Sequence, residues 1–162
     1  MGQAVPVVAA AKQCYSMPML SLRPATPQDA PACYALWHAA VAATHDFLDP
    51  ADFAAIAAEV QAMLPAVPMT LAVNTNDQPL GFMIMDGTHM EALFIHPDAH
   101  GHGIGKALVQ SVVAAHGRIT TDVNAQNAGA VGFYRRLGFV PTGHSANDSQ
   151  GRPYPLVHLQ LG

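Results

Sequence analysis

Basic residues are few: seven Lys and Arg stand against eleven Asp and Glu in 162 residues, for a net charge of −4. Affinity for a phosphate backbone comes from clustered Lys and Arg, so this shortage excludes a nucleic-acid binder. Cysteine is equally sparse. Cys14 and Cys33 lie far apart with no CxxC between them, and read as reduced thiols of a cytoplasmic protein rather than as a disulfide. No apolar run reaches the roughly 18 residues that a transmembrane helix needs, so no membrane partner is expected. Charged residues make up only 11% of the chain and about half the residues are hydrophobic, a globular composition and not a disordered one. The length suits one domain with a sizeable core.

The first residues stand apart from the rest. Ala4 to Ala11 is apolar, but no Lys or Arg precedes it, whereas a signal peptide wants a positive start. Residues 1–18 are read as a disordered leader and 19–162 as the domain. Met17 and Met19, directly before the first convincing strand, leave a later start open.

Met19–Arg23 alternates and ends at Pro24, which predicts a short strand. Thr26-Pro27-Gln28-Asp29 reads as a helix start, with Thr26 as N-cap, Pro27 at the first position and an acid in the first turn. That helix runs to about Ala43, with Tyr34, Trp37, His38 and Val41 on one stripe. A loop, His45 to Pro50, leads to an Ala-rich helix over Ala51–Leu64. Met69–Val73, Pro79–Met85 and His89–Ile95 read as strands joined by Asn74–Gln78 and Asp86-Gly87. A helix over Gly103–His116, a strand over Ile119–Val123, a helix over Asn127–Leu137 and strands over Phe139–Gly143 and Pro155–Leu161 complete the chain. This order predicts a mixed α/β sheet with an antiparallel front half and one strand–helix–strand crossover.

The sharpest local signal is His100-Gly101-His102-Gly103-Ile104-Gly105-Lys106, after a strand and opening a helix. Glycines let backbone approach a ligand, and free N–H groups at a helix start favour a phosphate. The two common phosphate loops fail here. Gly101 and Gly105 have three residues between them instead of four, with Ala107 after Lys106. A dinucleotide fingerprint starting at Gly101 would need Gly where Lys106 stands. A glycine-rich turn without a ligand remains the plain alternative.

The stretch Leu93 to Leu108 resembles the strand-4-to-helix-3 signature of the GNAT acyltransferase superfamily, in which Arg or Gln, two residues, Gly, one residue, and Gly or Ala follow one another. Gly103 and Gly105 match, and His100 stands where the family has Arg or Gln. A second segment, with Asn127, Ala130, Phe133-Tyr134 and Leu137-Gly138-Phe139, resembles the GNAT helix-4 pattern. Ala43 to Leu48, His89 to Ile95, Asn124 to Tyr134 and Pro153 to Leu156 are similar to the small bacterial acetyltransferases of the YjaB type. The resemblance runs from about Leu20 to the C-terminus. It implies a GNAT fold, an α/β (α+β) arrangement with a mixed, mostly antiparallel sheet of six to seven strands, about four helices, and a split between strands 4 and 5.

It also implies an N-acetyltransferase that moves an acetyl group from acetyl-CoA to a primary amine of a small molecule or peptide by direct transfer in a ternary complex. Leu93, Phe94 and Ile95 would pair with the pantetheine arm through their backbone. N–H groups from Gly101 to Gly105, with His102 and Ile104 among them, would hold the pyrophosphate, and Lys106 would add charge. An N–H near Leu93 or Phe94 would stabilise the developing oxyanion. Tyr134, a phenol protonated at neutral pH, would donate to the departing thiolate; packing on the helix's inner stripe is its plainer role. Asn127 would cap its helix and touch the cofactor, with Phe133 beside it. Two readings compete for Gly129 and Gly132, close approach of a ligand or strand and a poorly formed helix.

His89, Glu91, Leu93 and Ile95 alternate, which predicts that all four share one strand face. Glu91 and His89 are therefore both candidate bases, with a water relay as the alternative. At His100, an imidazole in place of Arg predicts weaker or more pH-dependent cofactor binding. His45 and Asp46 lie in the loop that shapes the acceptor pocket in the family. His96, His100 and His102 lack a zinc spacing, so no metal is expected. Family habit implies a homodimer. A non-catalytic acyl-CoA-binding module on the same fold is the main rival reading, and an ATP-binding protein is a weaker one.

Overall fold

The structure, a computed structural model, describes residues 20–162. The leader read over residues 1–18, Met17, Met19 and Cys14 lie outside the described residues.

Strand β1 (Ser21–Pro24) leads through a 3₁₀ turn (Pro27–Asp29) into helix α1 (Ala30–Thr44) and then α2 (Pro50–Met63). Strands β2 (Thr70–Val73), β3 (Pro79–Asp86) and β4 (His89–Ile95) follow. A second 3₁₀ turn (Pro97–Ala99), helix α3 (Ile104–His116), strand β5 (Ile119–Asn124), helix α4 (Ala128–Arg136) and strands β6 (Val140–Ser145) and β7 (Leu156–Leu161) complete the fold. The strands form one sheet in the order β1-β2-β3-β4-β5-β7-β6. Every neighbouring pair is antiparallel except β4 and β5, which are parallel. The expected crossover through α3 supplies that pair.

Local chemistry accounts for the helix starts. Asp29, at the end of the first 3₁₀ turn, accepts from the Thr26 N–H at 2.7 Å, and Pro27 occupies the opening position. Asp49 caps α2 by accepting from the Ala51 N–H at 2.8 Å, with Pro50 in the first turn. The inner face of α1 corrects the predicted stripe. Ala30, Cys33, Leu36, Trp37, Ala40 and Val41 are buried, whereas His38 is exposed. Small residues let the helix lie close to the sheet, and His38 is left on its flank against Phe53, ring centroids 5.1 Å apart.

The sheet separates two cores. Helices α1 and α2 cover one face over Leu71, Phe82, Ile84 and Phe94. Helices α3 and α4 cover the other over Met83, Met90, Ile119 and Leu159. Strand β3 is buried on both faces from Gly81 to Ile84, which is why it reads as an unbroken apolar run.

One feature of β4 overturns the predicted alternation. In the pairing with β3, Ile84 faces Ala92 while Met85 faces Met90, so Glu91 is an extra, bulged residue. Leu93 and Ile95 pack toward α3 and α4 with Met90, and Ala92 and Phe94 toward α1 and α2. His89, next to Met90, therefore points to the face opposite Leu93 and Ile95. The two candidate bases and the two apolar residues do not share one face, because a bulge shifts a period-2 pattern by one residue.

Candidate active site

Strands β4 and β5 pair only at His89 with Thr120 and Met90 with Thr121. Thr121, buried, closes the last rung by donating from its hydroxyl to the Met90 carbonyl at 2.8 Å. Beyond that rung the strands part, starting at the Glu91 bulge. Ala92 to Ile95 keeps a backbone edge facing the gap, unpaired on the β5 side. A free strand edge pairs with an extended chain of amide groups.

The gap opens toward the start of α3. Gly101 and Gly103 sit at φ +81° and +77°, in the left-handed region that favours glycine, and a Cβ on either would meet nothing within 4 Å. Gly103 is the N-cap and contributes no side-chain bond to the first-turn N–H groups. Ile104 buries its side chain, so only its backbone faces the loop. Gly105 is needed for a different reason: a Cβ there would lie 2.9 Å from Phe133 Cζ. Phe133, expected at the cofactor, thus packs α4 on α3 and Ile95. Lys106 is exposed on the first turn. A cavity of about 640 Å³ between α3 and α4 runs from Lys106 past Gln110 and Arg136 to Gly117 and Gly162 at the far end of α3.

His100 does not extend freely into this space. Its Nε2 lies 3.3 Å from the Ile95 carbonyl and fastens the glycine loop to the end of β4. His96 Nδ1 accepts from the Asp98 N–H at 3.1 Å in the intervening turn. Among the described residues, no group of three or more His, Cys, Asp or Glu has metal-binding geometry.

On the α4 side, Asn127 caps the helix, its Oδ1 accepting from the Ala130 N–H at 3.2 Å. The helix is continuous despite its glycines. A Cβ at Gly129 would meet only Asn127 Oδ1 at 3.8 Å, and one at Gly132 only the Arg136 guanidinium at 3.2 Å. Among the described residues, no strand approaches closely there. Tyr134 is buried, edge-on to Phe133 and Phe139 at centroid distances of 5.2 Å. Burial holds its phenol above the usual tyrosine range, and the Thr121 hydroxyl beside it pulls the other way. Since Thr121 forms the last rung, Tyr134 lies at the base of the split.

The opposite face of β5 carries polar groups. His89 Nδ1 lies 2.8 Å from Thr120 Oγ1. Asp122 lies beside His158 of β7, and Glu91 is exposed on the bulge. His45 and Asp46 lie in the α1–α2 loop. Thr44 Oγ1 donates to the Ala40 carbonyl and lies 2.7 Å from His45 Nδ1, and the His45 ring rests 5.2 Å from that of Phe47. Burial lowers the His45 pKa against the opposing pull of Asp46, so the ring is held neutral. Tyr154 ties this loop to the β6–β7 connection: its hydroxyl accepts from the Asp49 N–H at 3.0 Å and donates to Asp52 at 2.5 Å.

Residues 39–153 match the acetyltransferase (GNAT) domain family. The chain is 45% identical over 141 residues to the peptidyl-lysine N-acetyltransferase YjaB of Salmonella typhimurium, covering 87% of this chain and 97% of that protein. The solution structure of apo YjaB from Escherichia coli superposes with a TM-score of 0.84 at 43% identity, covering 87% of this chain and 96% of that one. YncA of Salmonella typhimurium, solved with acetyl-CoA, shares the fold at a TM-score of 0.60 and 21% identity, covering 88% of this chain and 92% of that one.

Proposed function

The chain belongs to the GNAT family of N-acetyltransferases, and from that premise we propose that it transfers an acetyl group from acetyl-CoA directly to the side-chain amine of a peptidyl lysine, both substrates bound together. The acceptor follows from the YjaB relatives, which are named for that substrate and match nearly their whole length. The observation that carries the reading is the parting of β4 from β5 after two pairs, closed by the buried Thr121, with Tyr134 at its base.

The residues present suit acetyl-CoA, which supplies an activated thioester. The free edge of β4 from Ala92 to Ile95 offers backbone donors and acceptors to the amides of the pantetheine arm. Gly101 and Gly103 leave room for a pyrophosphate at the start of α3, where free N–H groups and the helix dipole favour anions. Lys106, exposed on the first turn of α3, adds positive charge beside that loop. A backbone N–H near Leu93 or Phe94 donates to the carbonyl oxygen as it gains charge.

Tyr134 delivers the proton that the departing sulfur takes up. A phenol held protonated by burial is a competent acid at neutral pH. The incoming lysine is an ammonium with a reference pKa of about 10.4 and must lose a proton before it attacks. His89 and Glu91 are the two candidate bases, His89 paired with Asp86 before the bulge and Glu91 the bulged residue itself.

The test is thiol release from acetyl-CoA with lysine peptides, free amino acids, polyamines and N-terminal peptides as acceptors. Selective turnover of lysine peptides supports the reading. Turnover confined to another amine overturns the acceptor. Acetyl-CoA binding without turnover on any amine moves the protein to the non-catalytic module.

A further inference from the structure

On the sheet face away from α3 and α4, polar side chains from four strands lie in a row. Ser145 Oγ lies 2.6 Å from His158 Nε2, and His158 Nδ1 lies 2.5 Å from Asp122 Oδ1. The other Asp122 oxygen, Oδ2, stands 3.6 Å from His89 Nε2. The order across the sheet follows from register. Asp122 on β5 is paired with His158 on β7, and Ser145 is on β6, the edge strand. Ser145 is thus two strand spacings, roughly 10 Å, from β5 and farther from the split. The end of the chain that borders the split is the carboxylate, one residue past the Thr121 rung.

The hydrogen bonds of this chain run from Ser145 to Asp122 and stop short of His89. A carboxylate only accepts, so His158 Nδ1–H donates to Asp122, and Ser145 Oγ lies within hydrogen-bond distance of the ring's other nitrogen. That holds the Asp122 carboxylate from one side. At 3.6 Å, Asp122 Oδ2 and His89 Nε2 are too far apart for a hydrogen bond. In the tautomer whose Nδ1–H donates to Thr120, His89 Nε2 keeps its lone pair and, with Asp122 Oδ2 at 3.6 Å, offers two acceptors to one bridging donor. Side-chain exposures of 31%, 37% and 33% for His89, Asp122 and His158 keep the spot open to a ligand. The other charged groups nearby do not fill it. Asp86, paired with His89, is acidic, Glu91 is exposed on the bulge, and Arg118 is engaged by Gln160 at 2.8 Å.

We infer that Asp122 and His89, with His158 and Ser145 as positioning residues, form a subsite for a primary alkylammonium at the mouth of the split. This deepens the lysine-acetylation reading and rests on it for the identity of the ammonium. One N–H of the ammonium bonds Asp122 Oδ2 and another bonds His89 Nε2. The nitrogen is then held on the face opposite Tyr134, so the amine and the acid approach the base of the split from opposite sides.

The experiment titrates butylammonium chloride into the folded, full-length protein. Imidazole resonances of His89 and His158 are followed by NMR, against sodium chloride and n-butanol as controls. Saturable shifts with butylammonium alone, weakened about tenfold or more in Asp122→Asn, are expected. In parallel, Asp122→Asn should raise KM for a lysine peptide by a similar factor and leave the affinity for acetyl-CoA within twofold. His158→Gln should give a smaller KM effect in the same direction. Absent shifts, shifts matched by n-butanol, or an Asp122→Asn variant that binds butylammonium like wild type would overturn the inference. A wild-type protein that binds butylammonium here but acetylates no lysine peptide would leave the subsite standing and remove the acceptor reading.

Discussion

The roles of individual residues depend on environments that neighbours create. Tyr134 is an acid candidate because burial suppresses its ionisation, and the same burial makes it a packing residue. Tyr134→Phe separates the two. The ring stays, so the affinity for acetyl-CoA should hold within about threefold, while kcat falls by about 100-fold in a thiol-release assay. With the phenol held above its usual range, no loss of rate from its ionisation should appear up to about pH 9.5. Cys33 gives a second test. Fully enclosed, its thiol is pushed up to about 11 by burial. In a Cys14→Ser background the native protein should resist a disulfide reagent at pH 8 and react fully once unfolded.

Elements bring in constraints that no single residue carries. Helix α3 can approach α4 only because Gly105 lacks a Cβ where the Phe133 ring passes. Gly105→Ala should cost about 1–3 kcal/mol by overpacking, measured by chemical denaturation. Phe133→Leu in the same chain should recover part of the loss, a coupling that a double-mutant cycle would register. At the other end of the loop, His100 fastens the glycine turn to Ile95. If it also meets the pyrophosphate, acetyl-CoA affinity should rise as pH falls from 8 to 5.5, and His100→Arg should flatten the profile. A profile that is flat in wild type and unchanged in His100→Arg would restrict His100 to its bond with Ile95. The glycine loop was legible in the sequence because its chemistry is local and consecutive. The bulge at Glu91 was not, since the extra residue is defined only by its pairing with β3, and alternation alone placed His89 on the wrong face.

Across the whole molecule, ionisable groups link stability to acid. Arg23 grips Asp29 at 2.9 Å and Asp77 at 2.7 Å, joining β1 to the start of α1 and to the β2–β3 turn. Hydrogen bonding to Arg23 holds Asp29 well below the usual carboxylate range. A depressed pKa adds stability above the unfolded value, about 4, which is lost as pH falls toward the folded one. His45, lowered by burial, is held neutral in the fold. Its penalty sets in as pH falls below the ordinary imidazole value of about 6.5, where the unfolded chain binds the proton more readily. Thermal melts from pH 8 to 3 should therefore descend in two windows. His45→Gln should flatten the first and Asp29→Asn the second, with Asp29→Asn costing about 1 kcal/mol at neutral pH.

The same division separates what the chain states by itself from what folding adds. Hydrophobic periodicity, proline and acidic starts, and glycine-rich turns act within a few residues, so element order, the parallel crossover and the glycine-rich loop follow from the sequence alone. The family signatures are of that kind too, short and consecutive from Leu93 to Leu108 and from Asn127 to Phe139. The two-pair junction of β4 and β5, the placing of Tyr134 beside Thr121, and the chain from Ser145 to Asp122 join residues from 13 to 36 positions apart along their strands and helices. No local preference encodes those meetings. They exist because strand register and one bulged residue decide which side chains share a face.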